Sequence, residues 1–429
     1  MMRCRRQKRT GWLRSAYPGR QGDDISPPEA TQTGHIRARP GPDTNAARRL
    51  EDRDRGLLAA RRGSSSPRGA ARDPVLIQVG PARASGGISD VMRAIDGWSH
   101  ASGRVTVLVN TSCDGSVLRR AGVGVAGVLR AAWAILTTPR SLVHVHAASN
   151  GSFLRKSVVV LTARLTGRPI LLHIHGGGFS AFATGGSRLR RSWVSAVLRR
   201  ADAVCVVSEQ VKQAVHQLEP EVPISVLPNP ATLLCGRLTD SRQRRVLFLG
   251  RLGLTKGTDV LLTAIRLLQS ADVAAPFVLA GDGGVEGTRA AVLRLPTPSC
   301  VQVPGWVDEV DVHRLLHESS VFCLPSRYEG LPMALLQAMG HGLACVVTPV
   351  GGMGEVVIDG VSGLVVPQDD PESLAVAVGA LLEDSDLRAC LGRRAAHDIE
   401  RSYSPEIVMR RLDAIYSALL ADRGRRAFA

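Results

Sequence analysis

From Pro74 onward, short apolar runs alternate with longer segments whose apolar residues recur at helical spacing. This alternation is typical of βαβ units stacked on a parallel sheet. Each short run is predicted to form a strand, and the runs fall into two series, one before Asp240 and one after it. The predicted strands are Val75–Val79, Val105–Val109, Leu142–His146, Ile170–His175, Ala203–Val207, Ile224–Leu227, Arg245–Gly250, Phe277–Ala280, Val301–Val303, Val321–Leu324, Ala344–Thr348 and Gly363–Val366. The pattern therefore predicts an α/β chain with two parallel sheets.

The segments between the strands are predicted helices, among them Ile88–Ala101, Arg188–Arg200 and the last one, Pro405–Leu420. A polar stretch, Leu233–Arg244, separates the two series and is the expected hinge. The predicted organisation is a Rossmann-like domain over residues 73–240, a second one over 241–402, and a closing helix and tail over 403–429. Ligands of doubly wound sheets bind beyond the carboxyl ends of the strands, so a cleft between two facing domains is the expected site.

The formal net charge of +16 raises the question of a nucleic-acid or membrane partner. Residues 1–72 hold 17 Lys or Arg and 7 Asp or Glu, so most of the excess belongs to this one segment. It has no sustained apolar period and is predicted to be disordered, because it buries too little surface to offset its ordering entropy. The alternatives are a basic arm for nucleic acid or anionic lipid, a localisation segment, and a non-functional extension, which is favoured.

A membrane span is not predicted. The longest apolar approach to one, Val117–Thr137, is interrupted by Arg119, Arg120 and Arg130. Residues 1–72 lack the apolar core and cleavage site of a secretory signal. The eight cysteines show no metal-ligand or redox-motif spacing, which indicates a reducing cytoplasm.

Two cations lie between a predicted strand and an apolar helix in the run VLFLGRLGLTKGTDVLLTAI, residues 246–265. Arg251 and Lys256, together with the free amides of a helix N-terminus, suit a phosphate group. For this pair taken alone, solvated loop charges are the alternative. The glycine turn LAGDGG, residues 279–284, ends the next strand and is weak evidence by itself.

The segment PSRYEGLPMALLQAMGHGLACVVTPVGG, residues 325–352, is more specific. It resembles the donor-binding segment of the retaining GT-B glycosyltransferases of family 4. Members usually carry two Glu residues separated by seven others, the first near the donor sugar and the second near the nucleotide ribose. Glu329 occupies the first position here and Gln337 the second. Pro332 is predicted to lie in the first turn of a helix that starts near Leu331, and the structural alternative for Glu329 is a cap of that helix.

Further motifs in the family's order extend the resemblance over roughly residues 75–420: SGGISDVMRAI (85–95), LLHIHGGGF (171–179), ADAVCVVSE (201–209), VLPNP (226–230), GRLGLTKG (250–257), AGDG (280–283) and PGWV (304–307). The resemblance implies a GT-B fold of two facing Rossmann-like domains. It also implies that Arg251 and Lys256 neutralise the departing diphosphate without a metal and that Glu329 orients the sugar. The donor-binding positions it implies are Gly86, Gly87, Gly250, Gly283, Trp306, Val307, Gly330, Leu331, Pro332, Met333 and Gln337.

Histidines occur as two His-x-His pairs, His144/His146 and His173/His175, and each pair lies on one face of a predicted strand. Four histidines suffice for a metal site. No acidic or cysteine ligand accompanies them, so no metal is predicted. The family pattern implies instead that His175 faces the donor sugar and that the others pack near the sheet ends, with a merely structural His175 as the alternative.

The predicted helix Arg188–Arg200 combines five arginines with an apolar face around Trp193. Such a helix is either an ordinary amphipathic surface helix, which is favoured, or one that lies on anionic lipid. A lipid-linked acceptor would make membrane contact useful.

The resemblance implies a retaining hexosyltransferase that uses a nucleoside-diphosphate sugar and a glycan or lipid-linked acceptor, in cell-surface polysaccharide or glycolipid synthesis. No cofactor is expected, and the expected location is the cytoplasm, with the inner face of the plasma membrane as an option. The same-fold alternatives are a sugar-nucleotide epimerase and a phosphorylase. Two binding proteins are the remaining alternatives: a catalytically weak transferase-like subunit, because of Gln337, and a nucleic-acid binder, because of the basic segment.

Overall fold

A computed structural model describes residues 74–84, 86–113, 115–231 and 244–427, with side chains to residue 422. The basic segment 1–72 and nearly all of the expected hinge lie outside the described residues. The described chain forms two compact units. The first unit is residues 74–230 together with the last helix, and the second unit is residues 231–404. The predicted domain boundaries stay predictions.

The first unit contains a six-stranded parallel sheet with the strand order β2-β1-β3-β4-β5-β6. Its central strands are buried along their whole length, as expected for a parallel sheet covered on both faces. The strands are β1 Val75–Gly80, β2 Thr106–Asn110, β3 Ser141–Ala147, β4 Ile170–Ile174, β5 Ala203–Val206 and β6 Ile224–Val226. Its helices are α1 Gly87–Ala101, α2 Val117–Thr137, α3 Gly151–Leu165, α4 Phe179–Thr184, α5 Arg188–Leu198, α6 Glu209–Leu218 and the chain's last helix, α14 Pro405–Ala427.

The second unit contains the other six-stranded parallel sheet, with the order β12-β11-β10-β7-β8-β9. Its strands are β7 Val246–Leu249, β8 Phe277–Ala280, β9 Val301–Gly305, β10 Val321–Leu324, β11 Ala344–Val347 and β12 Leu364–Val365. Its helices are α7 Thr258–Ser270, α8 Val285–Val292, α9 Glu309–Glu318, α10 Met333–Gly340, α11 Met353–Val356, α12 Pro371–Glu383 and α13 Ser385–Ser402. All predicted strands are present with small shifts at their ends, which confirms two doubly wound Rossmann-like sheets.

Helix α14 belongs to the first unit although it ends the chain. Asp413 on α14 accepts hydrogen bonds from Trp98 Nε1 (2.7 Å) and Arg104 NH1 (2.8 Å). Tyr416, one turn further on, is buried. These contacts attach α14 to the first unit.

The apolar face of α5 shows whether this arginine-rich helix has an apolar side left for lipid. Val194, Val197 and Leu198 are buried, and the Trp193 ring packs edge-on against Phe153 with centroids 5.2 Å apart. The apolar face of α5 is therefore used inside the unit, which favours the amphipathic surface helix over a helix whose apolar side lies on lipid.

Candidate functional site

Two loops meet at the carboxyl edge of the second sheet because β7 and β10 are neighbouring parallel strands. The loop after β7 makes a short 3-10 turn, Leu254–Lys256, and the loop after β10 carries residues 325–332. Gly257 follows the turn with φ +67°, and a Cβ there would lie 1.9 Å from the Pro325 carbonyl oxygen. Only glycine permits this approach of the two loops.

Lys256 and Glu329, one from each loop, form an ion pair between Nζ and Oε1. The same carboxylate oxygen accepts a hydrogen bond of 2.9 Å from the Ser326 hydroxyl. The Glu329 side chain is 8% exposed and that of Lys256 is 24% exposed, so the pair is only partly screened by water. Glu329 does not cap α10, whose N-cap is Pro332 without a side-chain bond. Pro332 thus precedes the first helical residue instead of lying inside the first turn.

Arg327 holds the two loops together beneath this pair. Its guanidinium donates two hydrogen bonds of 2.8 Å to the Asp259 carboxylate and one of 2.6 Å to Asp369, and it also bonds the Leu254 carbonyl. The Asp259 and Asp369 carboxylates raise the pKa of Arg327, and Arg327 lowers the pKa of Asp259. Its backbone N–H donates to the Thr255 carbonyl (2.9 Å). The sequence alone gives no signal for these contacts, because an Arg three residues after a strand is uninformative without knowledge of which loops meet.

The glycines after β11 close against the backbone of Glu329. Gly351 has φ +58°, and a Cβ there would lie 2.1 Å from the Glu329 carbonyl oxygen. The Gly352 N–H donates to the Gly330 carbonyl. The backbone at Glu329 and Gly330 is therefore held from two sides, by the 3-10 turn and by this glycine pair.

Arg251 lies beside the glycine turn that follows β8. Leu252 N–H donates to the Asp282 carbonyl (2.7 Å), and Gly284 N–H donates to the Leu252 carbonyl (2.9 Å), so these two loops are paired as well. The Arg251 side chain is 73% exposed and its guanidinium lies 3.8 Å from the Asp282 carboxylate. Arg251 is therefore far more exposed to solvent than Lys256.

The other predicted donor positions of this unit lie at ends of its strands and helices. Gly250 follows β7, Gly283 lies in the turn after β8, and half-exposed Trp306 and Val307 follow β9. Gly330, Leu331 and Pro332 lead into α10, which begins at Met333. Gln337 is a half-buried residue on α10, and its carbonyl accepts a hydrogen bond from the His341 N–H (2.9 Å).

The remaining predicted positions, Gly86, Gly87 and His175, belong to the first unit. Gly86 is the N-cap of α1 with φ +128°, and Gly87 is the first residue of that helix. His175 follows β4 and is buried. Its Nε2 lies 2.9 Å from His146 Nδ1, and burial lowers its pKa to about 3. Its implied role at the donor sugar stays a prediction.

The four predicted histidines form one buried hydrogen-bonded cluster. His144 bonds Tyr416 Oη through Nδ1 (2.7 Å) and His173 Nδ1 through Nε2 (3.2 Å). His146 bonds His175 through Nδ1 and Gln78 Oε1 through Nε2 (3.2 Å). Burial holds the pKa of all four well below the usual value, so they are neutral at pH 7.

Ligand atoms of three of these residues, His144, His146 and His173, lie within 4.8 Å of one another, close enough for a metal ion. The bonds just described nevertheless use both ring nitrogens of His144 and of His146. On these two rings, a nitrogen that ligates a metal must give up its present partner. The absence of a metal stays a prediction.

Family comparison agrees with the fold and with the loop motifs. The description "Glycosyl transferase 4-like domain" matches residues 85–230, and "Glycosyl transferases group 1" matches residues 243–384. Two domains of these descriptions, each built on a doubly wound sheet, define a GT-B glycosyltransferase. The chain belongs to the group 1 glycosyltransferase family.

The individual curated relatives match only part of the chain, at low identity. The chain is 30% identical to the colanic acid biosynthesis glycosyltransferase WcaL of Escherichia coli (strain K12) over 182 residues, which cover 41% of this chain and 45% of WcaL. The chain spans about half the length of the first curated relatives it matches, at 45–48%.

Solved structures resemble the fold over most of the chain. Sucrose-phosphate synthase from Thermosynechococcus elongatus superposes with a TM-score of 0.67 at 17% identity, covering 82% of this chain and 100% of that one. HepE from Anabaena in complex with UDP gives 0.63 at 15% identity, covering 80% and 100%. At such identities the likeness shows the fold.

Proposed function

We propose that the protein is a retaining hexosyltransferase that moves a sugar from a nucleoside diphosphate to a glycan or lipid-linked acceptor, in polysaccharide or glycolipid synthesis. The observation that carries this proposal is the partly buried Lys256–Glu329 pair at the carboxyl edge of the second sheet. A cation for phosphate and a carboxylate for sugar hydroxyls stand side by side there. The names of WcaL and of the UDP complex of HepE agree with this chemistry.

The reaction leaves negative charge on the departing diphosphate, so a fixed cation lowers the barrier by meeting that charge as it develops. Lys256 has three N–H donors, of which one is directed at Glu329, so two are left for phosphate oxygens. Exposed Arg251 adds a second cation. These two charges take the role that a metal has in other transferases, and we propose that neither a metal nor a cofactor is required.

Glu329 is proposed to accept hydrogen bonds from the donor's hydroxyls and so to orient the reacting carbon. The Ser326 hydroxyl and the Lys256 ammonium fix its carboxylate in advance, and the glycine pair Gly351–Gly352 holds its backbone. Such preorganisation reduces the ordering cost when the sugar binds. We also propose that the protein acts in the cytoplasm.

A screen of sugar nucleotides by thermal denaturation is the first test. A donor that binds only the folded chain at about 100 times its Kd stabilises it by about 2.7 kcal/mol. Transfer to an acceptor should then persist in EDTA. Stabilisation without transfer would identify a binding subunit, and interconversion of the free sugar nucleotide would identify an epimerase. Activity that EDTA abolishes and a divalent ion restores would contradict the metal-independent mechanism.

Gln337→Glu is expected to tighten nucleoside-diphosphate binding by about 0.5 to 1.5 kcal/mol, the difference between a neutral and a charge-assisted hydrogen bond. The reason is the position of Gln337 on α10, where the family resemblance implies contact with the ribose. Calorimetry with the free nucleoside diphosphate measures this gain. Gln217→Glu, at an exposed position on α6, is the control for the added charge. Equal affinities in both variants and the natural chain would mean that the ribose is held elsewhere.

A further inference from the structure

Helix α2 carries large apolar residues on the side that faces solvent. They are spaced by 7, 4, 4 and 3 residues, which places them within about 80° of one another around the helix. Each is 59–86% exposed. The residues of this α2 stripe are Leu118, Val125, Leu129, Trp133 and Leu136. Amphipathic helices of soluble domains normally turn such a stripe inward.

The buried side of α2 consists mainly of small residues, so the large apolar residues of the stripe do not belong to the core. Gly124, Gly127, Ala131 and Ile135 are buried. A Cβ on Gly127 would lie 2.3 Å from the Asn110 carbonyl oxygen at the end of β2. This close approach fixes the rotation of the helix and leaves the large residues outside. Among the described residues, α2 is also the one helix with the length and apolar composition of a membrane span.

Helix α3 repeats the arrangement beside α2. Its stripe has spacings of 4, 3 and 4 residues, and its members, 44–79% exposed, are Leu154, Val158, Leu161 and Leu165. The two helices lie side by side, since a Cβ on Gly124 of α2 would meet the Arg155 side chain of α3 at 2.7 Å. The two stripes form what we call the α2–α3 surface. Exposed apolar surface of this extent marks an interaction site.

The charge around this surface has one sign. Residues 115–201 contain no Asp or Glu and 13 Lys or Arg. Arg119, Arg120 and Arg130 on α2 are exposed, and so is Arg140, three residues after the helix. On the helix circumference Arg119 and Arg130 lie together along one side of the apolar stripe. An apolar stripe beside arginines is the pattern of a helix that lies in the headgroup region of an anionic membrane.

We infer that the α2–α3 surface docks the protein on an anionic lipid bilayer, with the stripes in the upper acyl region and the arginines at the phosphates. Trp133 lies within the stripe, and indole rings favour this interfacial depth. A second copy of the chain is the less suitable occupant, because a symmetric contact would bring equal positive surfaces together. The inference goes beyond the proposed transfer reaction and does not depend on it, since lipid binding and donor binding are measured separately.

The test uses the full chain and flotation with vesicles of phosphatidylcholine alone or of phosphatidylcholine and phosphatidylglycerol at about 7:3. We expect binding to the anionic vesicles, reduced about tenfold or more by the double substitution Leu129→Ser and Trp133→Ser, because binding scales with buried apolar area. Both residues are exposed, so the melting temperature should not change. The matched control is Leu293→Ser with Val310→Ser, two residues that are equally exposed on the second unit.

A triple substitution of Arg119, Arg120 and Arg130 by Gln should also weaken anionic binding about tenfold or more and reduce its salt dependence. Equal binding of the stripe variant and the natural chain would overturn the inference, because another segment, such as the basic residues 1–72, would then carry it. Absence of vesicle binding would also overturn it. A dimer in analytical ultracentrifugation that the stripe variant abolishes, without vesicle binding, would assign the surface to a second copy instead.

Discussion

Lys256→Ala is expected to lower turnover by about 10²-fold or more once the donor is known, the scale seen when a group aligned with developing charge is removed. The loss should be larger in turnover than in donor affinity, because the charge that Lys256 meets grows in the transition state. Initial rates over a range of donor concentrations separate the two. Arg251→Ala should lose a similar factor, although its side chain is exposed in the unliganded chain.

Glu329→Gln tests the other half of the ion pair. It should reduce turnover more than affinity for the free nucleoside diphosphate, because its proposed partner is the sugar.

Lys212→Ala is the matched control for Lys256→Ala. Lys212 also pairs with a glutamate, Glu209, but lies on α6 of the first unit. Near-normal rates in both Lys256→Ala and Arg251→Ala would contradict the assigned diphosphate site.

The regular part of the fold follows from the sequence because a buried parallel strand is a short apolar run with few alternatives. β8 and β10, Phe277–Ala280 and Val321–Leu324, have the predicted bounds, and both are buried throughout. The ends of most other strands shift by one or two residues. β9 extends to Gly305, two residues beyond the predicted Val303, since the strand continues through Pro304. The hydrophobic pattern predicts where a strand lies better than it predicts the last residue of that strand.

The sequence predicts the candidate site only in part, because the contacts that it does not predict join loops that are distant along the chain. Arg327 and Asp259 are 68 residues apart, and neither lies in a periodic pattern that relates them. Which loops meet depends on the strand order, in which β10 lies directly beside β7. The ion pair between Lys256 and Glu329 required the same knowledge. Family resemblance identified both residues, but it did not identify their contact.

The outward stripe on α2 shows a further limit of pattern analysis. Apolar residues at helical spacing indicate one helix face, and they do not say whether that face meets the sheet or the solvent. On α2 the deciding residues are the small ones, because Gly127 allows contact with the end of β2 and a larger residue would clash. A small-residue face opposite a Leu, Val and Trp face was therefore the available signal.

The first unit is expected to lose stability steeply as the pH falls below about 6.5. Burial holds the pKa of His144, His146, His173 and His175 below that value in the folded chain, whereas an unfolded histidine titrates near 6.5. Folded-state pKa values are thus depressed for basic groups. The contribution of these histidines to the free energy of unfolding is complete above the unfolded-state pKa. It is lost as the pH falls below that value, because acid then protonates the unfolded chain and not the folded one.

Each proton taken up on unfolding adds about 1.4 kcal/mol per pH unit, so four histidines give a slope of up to about 5 kcal/mol per pH unit below pH 6.5. Domains are stable by about 5 to 15 kcal/mol, so this unit should unfold within a few pH units. Lys156, whose pKa burial lowers to about 7, is protonated in both states below that pH and does not add to the slope. Denaturant midpoints between pH 7.5 and 4.5, with hydrogen exchange on peptides of β3 and β4, measure the loss and locate it.

Replacing one member of the cluster separates this cause from general acid denaturation. His146→Gln should lower the proton uptake by about one and flatten the slope by about 1.4 kcal/mol per pH unit, whatever it costs at neutral pH. His216→Gln, on the exposed side of α6, should leave the slope unchanged. A slope that does not respond to His146→Gln would mean that the cluster is already protonated in the folded chain. A midpoint that rises with added zinc only while the cluster is intact would favour the metal interpretation, because an ion on these nitrogens competes with protons for the same lone pairs.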